Sequence, residues 1–352
     1  EQFEFAEMVA EEAYRAGAKW VEMQWGDQVI SKLKYRHETV TQLSQAEEWE
    51  KARWQHYVDA LPAMIHISSE DPDGLKGVNV EKLQKANGAR AKVFKPFREA
   101  MDNKYQWTIV AVPSQKWAKK VFPQERVSTA VEKLWDAILK TVRVSEDNDP
   151  MGEWDAHNAR LAAQCEKLNA LNLDYLHYQA PNGTDFKCWL IPGAQWHGGG
   201  DTLPDGTFYN PNMPSEEVFT SPMRGRCEGT LVSSMPLSYQ GNLIDHFSVD
   251  FENGRAVSCK AEQGQELLEK MIAMDEGAAM LGELALVPVE SPIYQTGILF
   301  YNTLFDENAA CHVALGRGFN EVVPGFEDMS SEELKARGIN DSIIHVDFMI
   351  GS

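Results

Sequence analysis

The sequence predicts an α/β N-terminal domain with a mostly parallel sheet, followed by a mixed, strand-rich α+β C-terminal domain. Two observations predict it. Helical and strand periodicities alternate through the first half, which is the pattern of strands joined by helical crossovers. From about residue 181 the texture changes to short strand-like runs broken by Gly, Pro and Asn, as in His197-Gly198-Gly199-Gly200 and Pro204-Asp205-Gly206. The boundary is expected between 172 and 185, giving domains over 1–178 and 179–352.

The elements follow in order. Phe5, Met8, Val9 and Ala13 share one helical face, and that helix stops near Gly17. Residues 20–25 read as a strand and 40–61 as a second helix. The apolar run 63–67 reads as a buried strand with His66 inside it. Helical signals resume at Val80, and 107–112 is a second buried strand. A helix over 125–142 is marked by Val127, Val131, Leu134, Ile138 and Val142. Another helix covers 151–171. Strands at 175–179 and 186–191 flank Asn182-Gly183, a hairpin turn signal. In the second half the clearest helix is 265–276. An opening strand of the parallel sheet is expected to precede residue 1.

Composition narrows the classes of function. The chain has 352 residues, 43% hydrophobic, enough for a sizeable core. Lys and Arg number 33 against 53 Asp and Glu, a net charge of -20. That excess repels phosphate backbones and argues against a nucleic-acid partner. Five cysteines, an odd number with no CxxC pair, argue against a disulfide framework or a zinc ribbon. A reducing compartment, the cytoplasm, is expected. No apolar run approaches the ~18 residues of a membrane span, so no membrane partner is expected. The glycines at 198–200 lack the Lys-Ser/Thr of a phosphate loop, and no GxSxG elbow occurs.

Four segments place carboxylates and imidazoles on apolar stretches. His345 and Asp347 lie two apart in 343–350, so on a strand they project from one face. A charge there is costly unless it is paired or metal-bound. Glu283 interrupts the apolar run 281–287, His312 precedes Val313-Ala314-Leu315, and Glu216-Glu217 lie in the segment 212–222. Each has an ordinary reading: an Asp–His hydrogen bond, a solvent-facing edge Glu, a satisfied core His. Taken together, two His and at least three carboxylates in one domain favour a divalent metal. The mixture suits Zn²⁺, Co²⁺ or Mn²⁺ better than Ca²⁺.

The segments MPSEEVFTSP (213–222), GELALVP-x-x-SPI (282–293), LFYNTLFDENAACHVALG (299–316) and IIHVDFMIGS (343–352) resemble the metallo-aminopeptidase family of aminopeptidase T, aminopeptidase S and PepS. The resemblance covers most of the chain and is densest from about 210 to 352. It implies a homodimer that removes N-terminal amino acids from peptides with two divalent ions. It places the metal ligands at Glu217, Glu283, His312, His345 and Asp347, the residues that stand out on apolar stretches. Glu216 is then the candidate general base, unless strand alternation turns it away, and Glu307 is the next candidate. One position departs from the family, which commonly has a tyrosine seven residues after the first ligand histidine. Phe319 stands there and has no hydroxyl to donate or ligate. Relative to the family, part of the C-terminal tail is also expected to be missing. The competing readings are a dinuclear hydrolase of another amide or ester, and a metal-binding dimeric scaffold with impaired turnover.

Overall fold

The computed structural model describes residues 2–351. The chain divides into two compact units, one of residues 1–145 with 201–213, the other of 146–200 with 214–352.

The first unit opens with α1 (Gln2–Arg15), α2 (Gln28–His37), α3 (Val40–Ser44) and α4 (Glu48–Ala60). Residues 20–25, expected as a strand, belong to no helix or strand. Trp20, Met23 and Trp25 are about half exposed, and the Trp25 ring contacts Phe3 instead of entering a ladder. The single helix expected over 40–61 is two. Thr39 and Glu47 each form a capping box, with Gln42 and Glu50, so a helix start is written twice in that stretch.

Next come β1 (Met64–Ser68), α5 (Val80–Met101), β2 (Trp107–Ala111), α6 (Gln115–Val121) and α7 (Val127–Thr141). β1 and β2 pair in parallel, with Met64 opposite Trp107 and Ser68 opposite Ala111. Asn212 adds a parallel bridge to Ile109. β1 was expected to be buried, yet Ile65 and His66 are exposed, because the two-stranded ladder leaves much of β1 uncovered. α7 buries Ala130, Val131, Leu134, Ala137 and Ile138 along one stripe, as its periodicity predicts.

The second unit begins earlier than expected, with α8 (Pro150–Leu171). The cause is its buried face of Trp154, His157, Leu161 and Cys165, whose His157 bonds to Ser215. The hairpin of β3 (Tyr175–Gln179) and β4 (Asp185–Leu190) follows. At its turn the Asn182 side chain accepts from the Thr184 N–H, and Gly183 takes φ +105. The small hairpin of β5 (Asp201–Thr202) and β6 (Phe208–Tyr209) belongs to the first unit. Then come β7 (Val218–Thr220), β8 (Pro222–Val232), β9 (Leu237–Tyr239), β10 (Asn242–Glu252), β11 (Arg255–Gln263) and α9 (Gln265–Ile272). Last are β12 (Leu281–Leu286), α10 (Pro292–Thr296), α11 (Thr303–Asp306), β13 (Cys311–Gly316), α12 (Ser331–Arg337) and β14 (His345–Gly351).

These strands build two antiparallel sheets. One runs β11-β10-β8-β4-β3, with β9 attached to β10, and the other runs β14-β13-β12-β7. The smaller sheet buries Leu284, Val313, Leu315, Val346 and Phe348 on one face, and Phe348 meets Phe247 of the larger sheet at a ring distance of 5.3 Å. Its other face carries the chemistry.

Candidate metal centre

Strand register assembles the site. Ala314 on β13 pairs with Glu283 of β12 on one side and Asp347 of β14 on the other. His312 pairs with Ala285 and Met349, and Gly316 pairs with His345. Paired residues and their i+2 neighbours share a face, so Glu283, His312, His345 and Asp347 all point the same way. Phe219 of β7 pairs with Ala285, and Glu217 lies two residues before it, on that same face. Gly282 lets the strands close up: a Cβ there would stand 2.1 Å from the Arg317 carbonyl oxygen.

The five side chains form two triads. One ligand atom from each of Glu217, Glu283 and His312 lies within 4.8 Å of the others, and the same holds for Glu283, His345 and Asp347. Glu283 belongs to both. Glu217, Glu283, His312 and Asp347 are buried, while the His345 side chain is 28% exposed.

Both imidazoles are oriented from behind. His312 Nδ1 donates to the Ala310 carbonyl at 3.0 Å, and His345 Nδ1 donates to the Arg317 carbonyl at 2.7 Å. Each Nε2 is thereby turned toward the carboxylates, 2.9 Å from Glu217 Oε2 and 3.0 Å from Glu283 Oε2. A backbone bond at one ring nitrogen is the usual way a metal-binding histidine is held.

The electrostatics are those of a site short of positive charge. Burial pushes the Glu283 carboxyl up to about 7, against the opposing pull of His345. Burial opposes charging of His312, but Glu217, then Glu283 and Asp347, raise it well above its ordinary value. Burial likewise opposes the charging of His345, and Asp347 and Glu283 outweigh it. Asp347 is held down at about 2: burial would raise it, and His345 more than compensates. Glu217 Oε2 and Asp347 Oδ1 are buried without a well-directed hydrogen bond, although a histidine lies near each. Imidazole nitrogens and buried carboxylate oxygens turned toward one another are the donor set a divalent cation takes.

Other candidate residues fall differently. Glu216 is buried outside both triads, with Oε1 3.9 Å from His157 Nε2. Both residues precede β7, and their side chains part there, Glu216 toward His157 and Glu217 toward His312. Glu307 is half-buried beside the cluster, and burial together with Asp347 and Glu217 raises its pKa well above the carboxylate range. It follows a tight turn built by Asp306, which accepts the N–H groups of Phe300 at 2.7 Å and Asn302 at 3.0 Å. Phe319 packs against His345 at a ring distance of 5.0 Å and Phe219 at 4.8 Å, and against an apolar cluster that includes Val322 and Ile339. Asn308 and His157, which hold this region together, drew no notice in the sequence. Each acts on backbone atoms, so no pattern of side-chain types announces it.

Two triads of carboxylate and imidazole sharing one carboxylate, on one face of a sheet, are groupings that could hold metal ions, the class of site a metal-dependent enzyme uses. More particularly, the chain belongs to the thermophilic metalloprotease family (M29), whose profile matches residues 1–352. Aminopeptidase 2 of Geobacillus stearothermophilus is 41% identical over 345 residues, 98% of this chain and 83% of that protein. Aminopeptidase AmpS of Bacillus subtilis (strain 168) is 41% identical over 350 residues, 99% of this chain and 85% of that protein. A solved structure, wild-type AmpT from Thermus thermophilus, superposes with a TM-score of 0.89 at 38% identity, covering 99% of this chain and 85% of that one.

Proposed function

We propose that this chain is an aminopeptidase that removes the first residue of unblocked peptides, using two divalent ions. Glu217, Glu283 and His312 would hold one ion, and Glu283, His345 and Asp347 the other. The observation that carries this reading is the membership of Glu283 in both triads. Three carboxylates also balance most of the charge of two divalent cations. The donor set suits Zn²⁺, Co²⁺ or Mn²⁺. When bound, such a pair supplies Lewis acidity for the scissile carbonyl and a water made nucleophilic at neutral pH.

The chain's own groups supply the rest. Ala310 and Arg317 fix the two imidazoles through their carbonyls. A free N-terminus would offer its α-amine as a further ligand to one of the ions, and an acetyl cap removes that group. Glu307, whose carboxyl burial and the neighbouring Asp347 and Glu217 push up from the ordinary carboxylate range, is the group proposed to pass a proton to the departing amine. It is better placed for that task than Glu216, which sits with His157. Phe319 contributes an apolar wall and no hydroxyl. A homodimer, from the family resemblance, and a cytoplasmic location, from the free cysteines, complete the reading. Among the described residues no helix is long and apolar enough to cross a membrane.

The test uses one tripeptide with a free N-terminus and its N-acetyl form, with protein stripped by chelator and reloaded with Zn²⁺, Co²⁺ or Mn²⁺. Release of the first residue is expected only from the free peptide and only after reloading. Equal turnover of the acetylated peptide would instead favour another amide hydrolase. Full metal loading without any turnover would favour an impaired scaffold.

A further inference from the structure

The ladder between β7 and β12 reaches Val218 and stops, so Glu217 lies just beyond the last paired residue. What holds it is the peptide unit between Ser215 and Glu216, one step upstream. The Ser215 carbonyl accepts from His157 Nε2 at 2.7 Å. The Glu216 N–H donates to Asn308 Oδ1 at 2.6 Å. The two groups of one trans peptide point in opposite directions, so the unit is gripped from both sides and its plane cannot rotate.

Both gripping side chains are fully engaged. His157 Nδ1 faces the Arg160 guanidinium at 3.4 Å, so it accepts there while Nε2 donates to the Ser215 carbonyl. Asn308 is completely buried, and its Nδ2 gives hydrogen bonds to the Leu304 carbonyl at 3.2 Å and Glu307 Oε1 at 3.4 Å. Its own carbonyl accepts from Ser291 Oγ at 2.6 Å. The Asn308 amide accepts from one segment with its oxygen while donating to another with its nitrogen.

We infer that Asn308 and His157 are positioning residues that clamp the Ser215–Glu216 peptide, and so set where the Glu217 carboxylate stands relative to Glu307 and the first triad. This rests on the two-ion reading above. The clamp acts on Glu217 alone among the five, since the other four lie on β12, β13 and β14, whose ladders hold them directly.

That asymmetry provides the test. Zn²⁺ is titrated against a chromophoric chelator into stripped wild type, Asn308→Leu, His157→Phe and His157→Gln. Wild type should bind two ions. Asn308→Leu and His157→Phe should each weaken one of the two by about 10–100-fold and leave the other unchanged, the scale typical of groups that orient a ligand. His157→Gln keeps an N–H near the Nε2 position and should restore affinity. kcat should fall in the two disabled variants with KM within about twofold. A general loss of packing would weaken both ions together, and that result overturns the clamp, as does unchanged affinity in the folded variants. If Asn308→Leu does not fold, the His157→Phe and His157→Gln pair decides alone. Wild type that binds no Zn²⁺ would sink the two-ion reading itself, and this inference with it.

Discussion

At the scale of single residues, the site is a set of charges waiting for a compensating one, and its protons show it. Both imidazoles are held above their ordinary 6.5. The stability they lend is complete below that value and is lost as pH rises through their folded pKa values. Glu283, at about 7 against an ordinary 4.5, keeps a proton in the folded state that the unfolded chain releases, so rising pH destabilises across that interval too. Asp347, at about 2 against 3.8, acts in the other direction, and its contribution disappears only in acid. Stripped of metal, the protein should therefore melt at a higher temperature near about pH 6 than near about pH 8. Metal requires deprotonated ligands, so added Zn²⁺ should raise Tm more at the higher pH. Thermal melts in chelator and in Zn²⁺ at the two pH values check this, and a chelated protein more stable at the higher pH contradicts it. His345 and Asp347 were legible in the sequence because a charge two residues from an imidazole on an apolar strand is anomalous by itself. The choice of Glu217 over Glu216 as ligand came from family resemblance. In the structure both precede β7, and the peptide between Ser215 and Glu216 is held by His157 and Asn308, side chains 58 and 92 positions away, a long-range arrangement that local sequence reasoning does not resolve.

At the scale of elements, the sheet β14-β13-β12-β7 is the device that brings distant segments to one place. Its row Glu283–Ala314–Asp347 sets two acidic side chains on either side of a methyl group. Ala314 is fully buried, and a larger side chain would occupy the space the two carboxylates share. Ala314→Leu is expected to cost about 1–3 kcal/mol in folding stability by overpacking and to lower metal content sharply. Urea unfolding and metal analysis of the purified variant measure the two effects. Full metal content in a stably folded variant would mean that the face carrying Ala314 is not the metal face. Strands with a charged residue on an apolar run were read correctly at 281–287 and 343–350. Residues 20–25 also read as a strand, and there Trp25 contacts Phe3 of α1 and Trp20 contacts His56 of α4 in place of a ladder partner. An apolar run specifies burial, and which partner provides it is a tertiary question.

At the scale of the whole molecule, all five proposed ligands lie in the second compact unit, together with α8. The change in texture near 181 is a change in secondary structure, from helix to short strands. The compact units divide elsewhere, because α8 buries its face among residues after 181 and 201–213 returns to the first unit. Chain texture and packing partner are separate properties, and only the first is written locally. The account turns on Glu283 serving two ions at once, and anomalous diffraction from crystals soaked in Zn²⁺ tests that most directly. Two peaks about 3.5–4 Å apart are predicted, both within bonding distance of the Glu283 carboxylate, one beside Glu217 and His312 and the other beside His345 and Asp347. A fully soaked crystal with a single peak, or with peaks away from Glu283, would contradict it.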